Sequence, residues 1–90
     1  MIDRIPPQNI EAEQSVIGAM LIDKEAIAKT SEVLRPEDFY RQDNRVIYEA
    51  ILALYNKNEA VDLVTVTEQL KSSGKLEEIG GTATITALSN

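Results

Sequence analysis

The stretch from Asp43 to Lys57 constrains the fold most, because it is helical in pattern and apolar over most of its circumference. It contains neither glycine nor proline. Its apolar residues are Val46, Ile47, Tyr48, Ala50, Ile51, Leu52, Ala53, Leu54 and Tyr55, which leave a narrow polar stripe of Arg45, Glu49 and Asn56. A helix with so little polar surface must be covered by its neighbours. The sequence therefore predicts a central helix near residues 42–57 inside a helical domain.

Composition predicts one modest core and an acidic surface. The chain has 90 residues, of which 43% are hydrophobic, 27% charged and only 4% aromatic, so the core must be mainly aliphatic. The net charge of -6 repels a phosphate backbone, which argues against direct nucleic-acid binding. Cysteine is absent, and neither a signal peptide nor an apolar run of bilayer length is apparent. We therefore expect a cytoplasmic protein that makes no membrane contact.

The segments before the central helix predict an extended tail, two helices and a short turn. Pro6-Pro7 favours extended backbone over residues 1–8, and the domain proper is expected at 9–90. Asn9 is predicted to cap the first helix, where Glu11 and Glu13 suit the helix dipole. Gly18 within this helix indicates close approach of another backbone, the alternative being a tolerated glycine. The apolar face of this helix comprises Ile10, Val16, Ile17, Met20 and Leu21.

A second helix is predicted from a cap at Asp23 to about Leu34. Its inward positions are expected to be Ala26, Ile27, Thr30, Val33 and Leu34. Pro36 ends that helix and begins one short turn, because proline suits a first helical position. This turn is expected to deliver Phe39, with Tyr40 as a second candidate, into the core.

The segments after the central helix predict a further helix, a turn and a weak last helix. Asp62 is the preferred cap, with Val61 and Val66 as a hydrophobic staple; Thr65 with Glu68 is the alternative capping pair. Gly74 is expected to end this helix, and Lys75 to Ile79 predicts a turn. Thr82 is predicted to cap the last helix, which is weak because it is rich in β-branched residues. This helix has no C-cap before Asn90, so we expect the chain to continue in a longer parent protein. Inward positions are Leu63, Val66, Leu70, Leu76, Ile79, Ile85 and Leu88.

The predicted fold class is therefore all-α, a compact multihelical bundle of about five or six short helices around the central one.

Nothing in this pattern predicts catalysis: with no His and no Cys, the commonest general base, thiol nucleophiles and most transition-metal ligands are missing. The adjacent acids Glu37-Asp38 and Glu77-Glu78 diverge around a helix, and Gly80-Gly81 lacks the Lys-Ser/Thr of a phosphate loop. Base stacking on Tyr48 and Tyr55 is disfavoured, because tyrosines of a central helix pack in a core. We expect no catalytic, cofactor or metal site, and a protein-binding function.

Four blocks carry a more specific signal. They read RIPPQNIEAEQSVIG at 4–18, LRPEDFY at 34–40, VDLVTV at 61–66 and LEEIGG at 76–81. In order and spacing they resemble the N-terminal domain of bacterial replicative DNA helicases of the hexameric DnaB type. The resemblance covers almost the whole chain, and four blocks together are far more specific than any one of them.

The resemblance implies a non-catalytic piece of an ATP-dependent helicase. In that family the N-terminal domain precedes a helical hairpin, a linker and a RecA-like motor domain, all beyond this chain. ATP and Mg²⁺ are expected in the motor domain, so no cofactor or DNA site is carried over to these residues. The implied roles are collar assembly in the hexamer and docking of the C-terminal helicase-binding domain of primase.

The partner-binding residues expected from the resemblance lie beside the glycine pair: Ile79, Thr82, Thr84 and Ile85. Family members commonly have an aromatic residue followed by Leu where this chain has Thr84-Ile85. We expect less apolar area here, and a weaker or differently placed primase contact. The alternatives are a free-standing acidic helical adaptor unrelated to replication and, disfavoured by the missing His and Cys, a metal- or carboxylate-dependent enzyme.

Overall fold

The computed structural model describes residues 9–89, and every regular element in that range is helical. In chain order these elements are α1 (Ile10–Ile22), α2 (Lys24–Val33), a 3₁₀ turn (Pro36–Asp38), α3 (Gln42–Asn56), α4 (Leu63–Ser72), a second 3₁₀ turn (Glu77–Ile79) and α5 (Thr82–Leu88). The predicted all-α bundle of short helices is confirmed. The predicted tail at 1–8 lies outside the described residues.

Helix α3 is the centre of the bundle, as its apolar circumference predicts. It packs against α1, α2, α4 and both 3₁₀ turns. Tyr48 is fully buried: its ring centroid lies 5.0 Å from that of Phe39, and its hydroxyl donates to the carbonyl of Leu34 at 2.8 Å. Burial raises the pKa of Tyr48. The buried residues of α3 are Asn44, Val46, Ile47, Tyr48, Ala50, Ile51 and Leu54.

The predicted caps of three helices are confirmed. Asn9 accepts a hydrogen bond from the Ala12 N–H at 3.0 Å, and Asp23 accepts one from the Glu25 N–H at 3.0 Å. Asp62 caps α4 as preferred, and Thr65 completes the box from within the helix, so the Thr65–Glu68 alternative is wrong. Gly74, with φ +75°, follows α4 in the left-handed conformation expected there.

Three predicted positions are wrong, each for a geometric reason. Val33 is 51% exposed, because six residues after Ile27 it lies about 240° further round α2. Tyr40 is 60% exposed, since side chains alternate along the extended backbone that turns Phe39 inward. Thr82 is the first residue of α5 and not its cap; Gly81, with φ +81°, takes that place without a side-chain bond.

Candidate partner-binding site

The four residues predicted to bind a partner lie in one segment, but they face different ways. Ile79 ends the second 3₁₀ turn and is 3% exposed, and Ile85, on α5, is fully buried. Thr82 is exposed and Thr84 is half-buried. The corner formed by residues 79–85 therefore presents Thr82 and part of Thr84 to solvent. It keeps both isoleucines in the core, where a partner cannot touch them in this conformation.

Two consecutive glycines set the direction in which α5 leaves the 3₁₀ turn. Gly80 has φ +98° and Gly81 has φ +81°, a region that other residues rarely enter. A Cβ atom on Gly80 would lie 2.6 Å from Oγ1 of Thr84. The Gly81 N–H donates to the Leu76 carbonyl at 3.0 Å, and the Thr84 N–H donates to the Gly81 carbonyl at 3.2 Å. The corner is thus shaped by main-chain geometry that requires glycine.

Helix α5 also approaches α1 closely at Gly18. A Cβ atom on Gly18 would lie 2.5 Å from the carbonyl oxygen of Leu88, so the close-approach interpretation of this glycine is confirmed. Beside the contact is an open groove of roughly 620 Å³, lined on the α1 side by residues that include Glu11, Ala19 and Ile22. Ile22 is 78% exposed.

A buried carboxylate that sequence reasoning missed joins α1 to the start of α3. Glu13 is fully buried and accepts hydrogen bonds from the Tyr40 N–H, the Arg41 N–H and the Nδ2 amide of Asn44, the last at 2.8 Å. Arg41 stands at the N-cap of α3 and makes no capping hydrogen bond with its side chain. Glu13, from another helix, accepts a hydrogen bond from the Arg41 N–H, which is one of the N–H groups at this helix end that have no partner within the helix. No local sequence pattern signals this contact, because Glu13 and Asn44 are 31 residues apart.

An ion pair lies beside this junction. The Arg41 guanidinium donates from Nε and from its second terminal nitrogen to Asp43 at 3.0 and 2.9 Å, a bidentate arrangement. The hydrogen bond from Arg41 is the main reason that the pKa of Asp43 lies below its usual value. The same hydrogen bond raises the pKa of Arg41, and the nearby carboxylate of Glu13 raises it further.

The rest of the described part of the chain offers neither a metal site nor a membrane-spanning helix. Within residues 9–89, no three acidic side chains lie together in a way that could hold a metal ion. None of the helices described is long and apolar enough to cross a membrane. The α5 corner can donate and accept hydrogen bonds through the Thr82 and Thr84 hydroxyls. The exposed Ile22 lies elsewhere, in the groove between α1 and the C-terminal end of α5.

Comparison with known proteins decides the family. The family model described as the DnaB-like helicase N-terminal domain matches residues 5–90. The chain belongs to this family. Over 88 residues, the chain is 51% identical to the replicative DNA helicase DnaC of Bacillus subtilis (strain 168). It is 50% identical, also over 88 residues, to the replicative DNA helicase DnaB of Geobacillus stearothermophilus. Each match covers 98% of this chain and 19% of the relative, so the chain spans about a fifth of those helicases.

The fold agrees with a solved structure of the same family. The N-terminal domain of DnaB helicase from Mycobacterium tuberculosis is 48% identical and superposes with a TM-score of 0.90. The match covers 94% of this chain and 62% of that one. The helical bundle described above is therefore a DnaB-type N-terminal domain, and the resemblance of the four sequence blocks is confirmed.

Proposed function

We propose that this domain forms part of the collar of a hexameric replicative helicase and docks the C-terminal helicase-binding domain of primase. The observation that carries the proposal is the similarity to replicative DNA helicases at about 50% identity over 98% of the chain. Those relatives give no support to the alternative of an adaptor unrelated to replication. The parent protein is proposed to unwind DNA in the cytoplasm with ATP and Mg²⁺ bound in its motor domain.

In this proposal the domain binds other proteins, and the motor domain carries out the ATP-dependent chemistry. Its net charge of -6 disfavours direct contact with DNA, and a surface of this sign suits a basic protein partner. Neither a phosphate loop in the sequence nor a carboxylate cluster among the described residues is available for ATP or Mg²⁺. No residue of this chain is therefore assigned to a cofactor.

The proposed primase contact is at the α5 corner, where Thr82 is exposed and Thr84 is half-buried. Calorimetric titration of the chain with the helicase-binding domain of its own primase tests this placement. Thr84→Tyr adds aromatic area at the corner, and Val33→Tyr adds the same group to the exposed end of α2. We expect Thr84→Tyr to tighten binding roughly tenfold and Val33→Tyr to leave it unchanged. Equal effects of both variants, or no binding by any form, would contradict the corner as the docking face.

The proposed parentage has a separate test in the gene. Reading the coding sequence downstream of the codon for Asn90 should give a Walker A motif within a motor domain. A stop codon in place of that domain would refute the helicase function without affecting the family assignment. This result is independent of the primase titration, so the two parts of the proposal can fail separately.

A further inference from the structure

Helix α5 is the shortest α-helix in the described part of the chain, and few contacts hold it. It has seven residues, of which Ile85 alone is buried, and its N-terminus has no side-chain cap. Four of its seven residues are Thr or Ile, which lower helix propensity because they are β-branched. Helix α4, by comparison, has ten residues, a capping box and two buried side chains, Val66 and Leu70.

The hydrogen bonds of α5 also leave it free to move. Its side-chain bonds in the described structure are internal to the segment: Thr86 donates to the Thr82 carbonyl at 3.1 Å, and Ser89 donates to the Thr86 carbonyl at 3.0 Å. The α1–α3 junction, in contrast, is fixed by the buried bonds of Glu13. Separation of α5 therefore breaks apolar contacts and leaves the buried polar network intact.

The glycine pair provides a pivot at the N-terminal end of α5. Gly81 has φ +81° and ψ -173°, and a Cβ built on it would meet nothing within 4 Å, so space is open around this residue. Gly80 is more restricted, because Thr84 lies against it. Rotation about Gly81 can swing the helix away without disturbing the bond from its own N–H to the Leu76 carbonyl.

We propose that α5 opens as a unit about Gly80-Gly81 while α1 to α4 remain folded, and that this opening exposes Ile85 and the Gly18 face of α1. A detached seven-residue segment is too short to remain helical in water, so opening also unwinds it. The proposal does not depend on primase docking. Its consequence is that the side chain of Ile85 becomes accessible to a partner in the open state only.

Thiol labelling tests the opening directly, because the natural chain contains no cysteine. Ile85→Cys and Ile51→Cys place single thiols at two fully buried isoleucine positions, the second one in α3. The labelling rate of each variant is compared with the rate that its own urea unfolding curve predicts for global unfolding. We expect the thiol at 85 to react at least tenfold faster than that prediction, and the thiol at 51 to match it. Agreement of both thiols with global unfolding would overturn the proposal.

Amide hydrogen exchange locates the pivot and needs no buried substitution. Gly81→Ala and Gly74→Ala are matched, since both glycines have positive φ and open space around the missing Cβ. We expect Gly81→Ala to speed exchange at Ala87 and Leu88 roughly tenfold or more relative to the amides of α3, because opening relieves the strain. Gly74→Ala should leave the ratio of α5 to α3 exchange as in the natural chain. Equal acceleration of all helices by Gly81→Ala, or equal protection of α5 and α3 in the natural chain, would refute it.

Discussion

Replacing Glu13 by glutamine tests the buried junction between α1 and α3, because glutamine keeps the shape of the side chain and removes its charge. In the native junction one carboxylate oxygen accepts from the Asn44 amide and the Arg41 N–H, and the other accepts from the Tyr40 N–H. A glutamine can offer one acceptor oxygen to these donors. In either orientation its NH₂ group faces a backbone or side-chain donor, which loses its acceptor at a side-chain position that is fully buried.

The size of the effect follows from that geometry. An unpaired buried donor costs about 1–3 kcal/mol, and the hydrogen bonds that survive lose the extra strength that a charged acceptor gives. We therefore expect Glu13→Gln to lower the free energy of unfolding by about 2–4 kcal/mol, a large part of the roughly 5–15 kcal/mol typical of a domain. The measurement is urea denaturation followed by circular dichroism, with the midpoint and slope fitted for each protein.

Glu11→Gln is the matched control for this measurement. Glu11 lies in the same first turn of α1, two residues earlier, and its side chain is exposed. Both substitutions remove one negative charge near the same helix end, so the difference between them isolates the buried contacts. A free energy of unfolding that is equal for the two variants within about 0.5 kcal/mol would refute the role of Glu13 in holding α1 to the start of α3.

Three further predictions concern packing and charge. Gly18→Ala should lower the free energy of unfolding in urea by about 1–3 kcal/mol, because the new Cβ meets the Leu88 carbonyl, although alanine favours helices. The reverse exchange at its exposed neighbour, Ala19→Gly, measures the contribution of helix propensity alone. Ile51→Ala should cost about 2–5 kcal/mol and the exposed Glu78→Lys almost nothing, so similar melting curves would contradict the core assignment. The pKa of Asp43 is lower in the folded state than in the unfolded state. The stability that Asp43 contributes is therefore fully present above its unfolded-state pKa and is lost as the pH falls through its folded-state pKa. Asp43→Asn should make the free energy of unfolding fall less steeply with acid.

The fold could be predicted where a local pattern decides the outcome. The apolar circumference of α3 forces burial, and Asn9, Asp23 and Asp62 cap helices through atoms within three residues of themselves. The inward positions are predicted less well where apolar character is the guide. Val33 is apolar and lies on the last turn of α2, but it is about 240° round the helix from the buried Ile27 and is 51% exposed.

The candidate site could be predicted only in part, because its properties depend on contacts between distant segments. The resemblance and proximity to Gly80-Gly81 selected Ile79 and Ile85, yet the structure buries both side chains in the core, one before and one after the two glycines of positive φ. The hydrogen bond from the Asn44 side chain to Glu13 spans 31 residues, and a first-turn acid in α1 gives no sign of such a partner. The primase contact at the corner remains a prediction.

Charge and packing divide the domain into parts of different firmness. Between α1 and α3 a buried carboxylate must keep its donors, since separation would leave an ionised group without partners in the core. Between α1 and α5 the contact at Gly18 is a close approach to the Leu88 backbone, and it depends on Gly18 having no side chain. A substitution at Glu13 should therefore lower the stability of the whole bundle, whereas one at Gly18 or Gly81 should act mainly on the attachment of α5. If Gly18→Ala instead lowered the protection of α3 amides as much as that of α5 amides, α5 would be an integral part of the core and not a separable element.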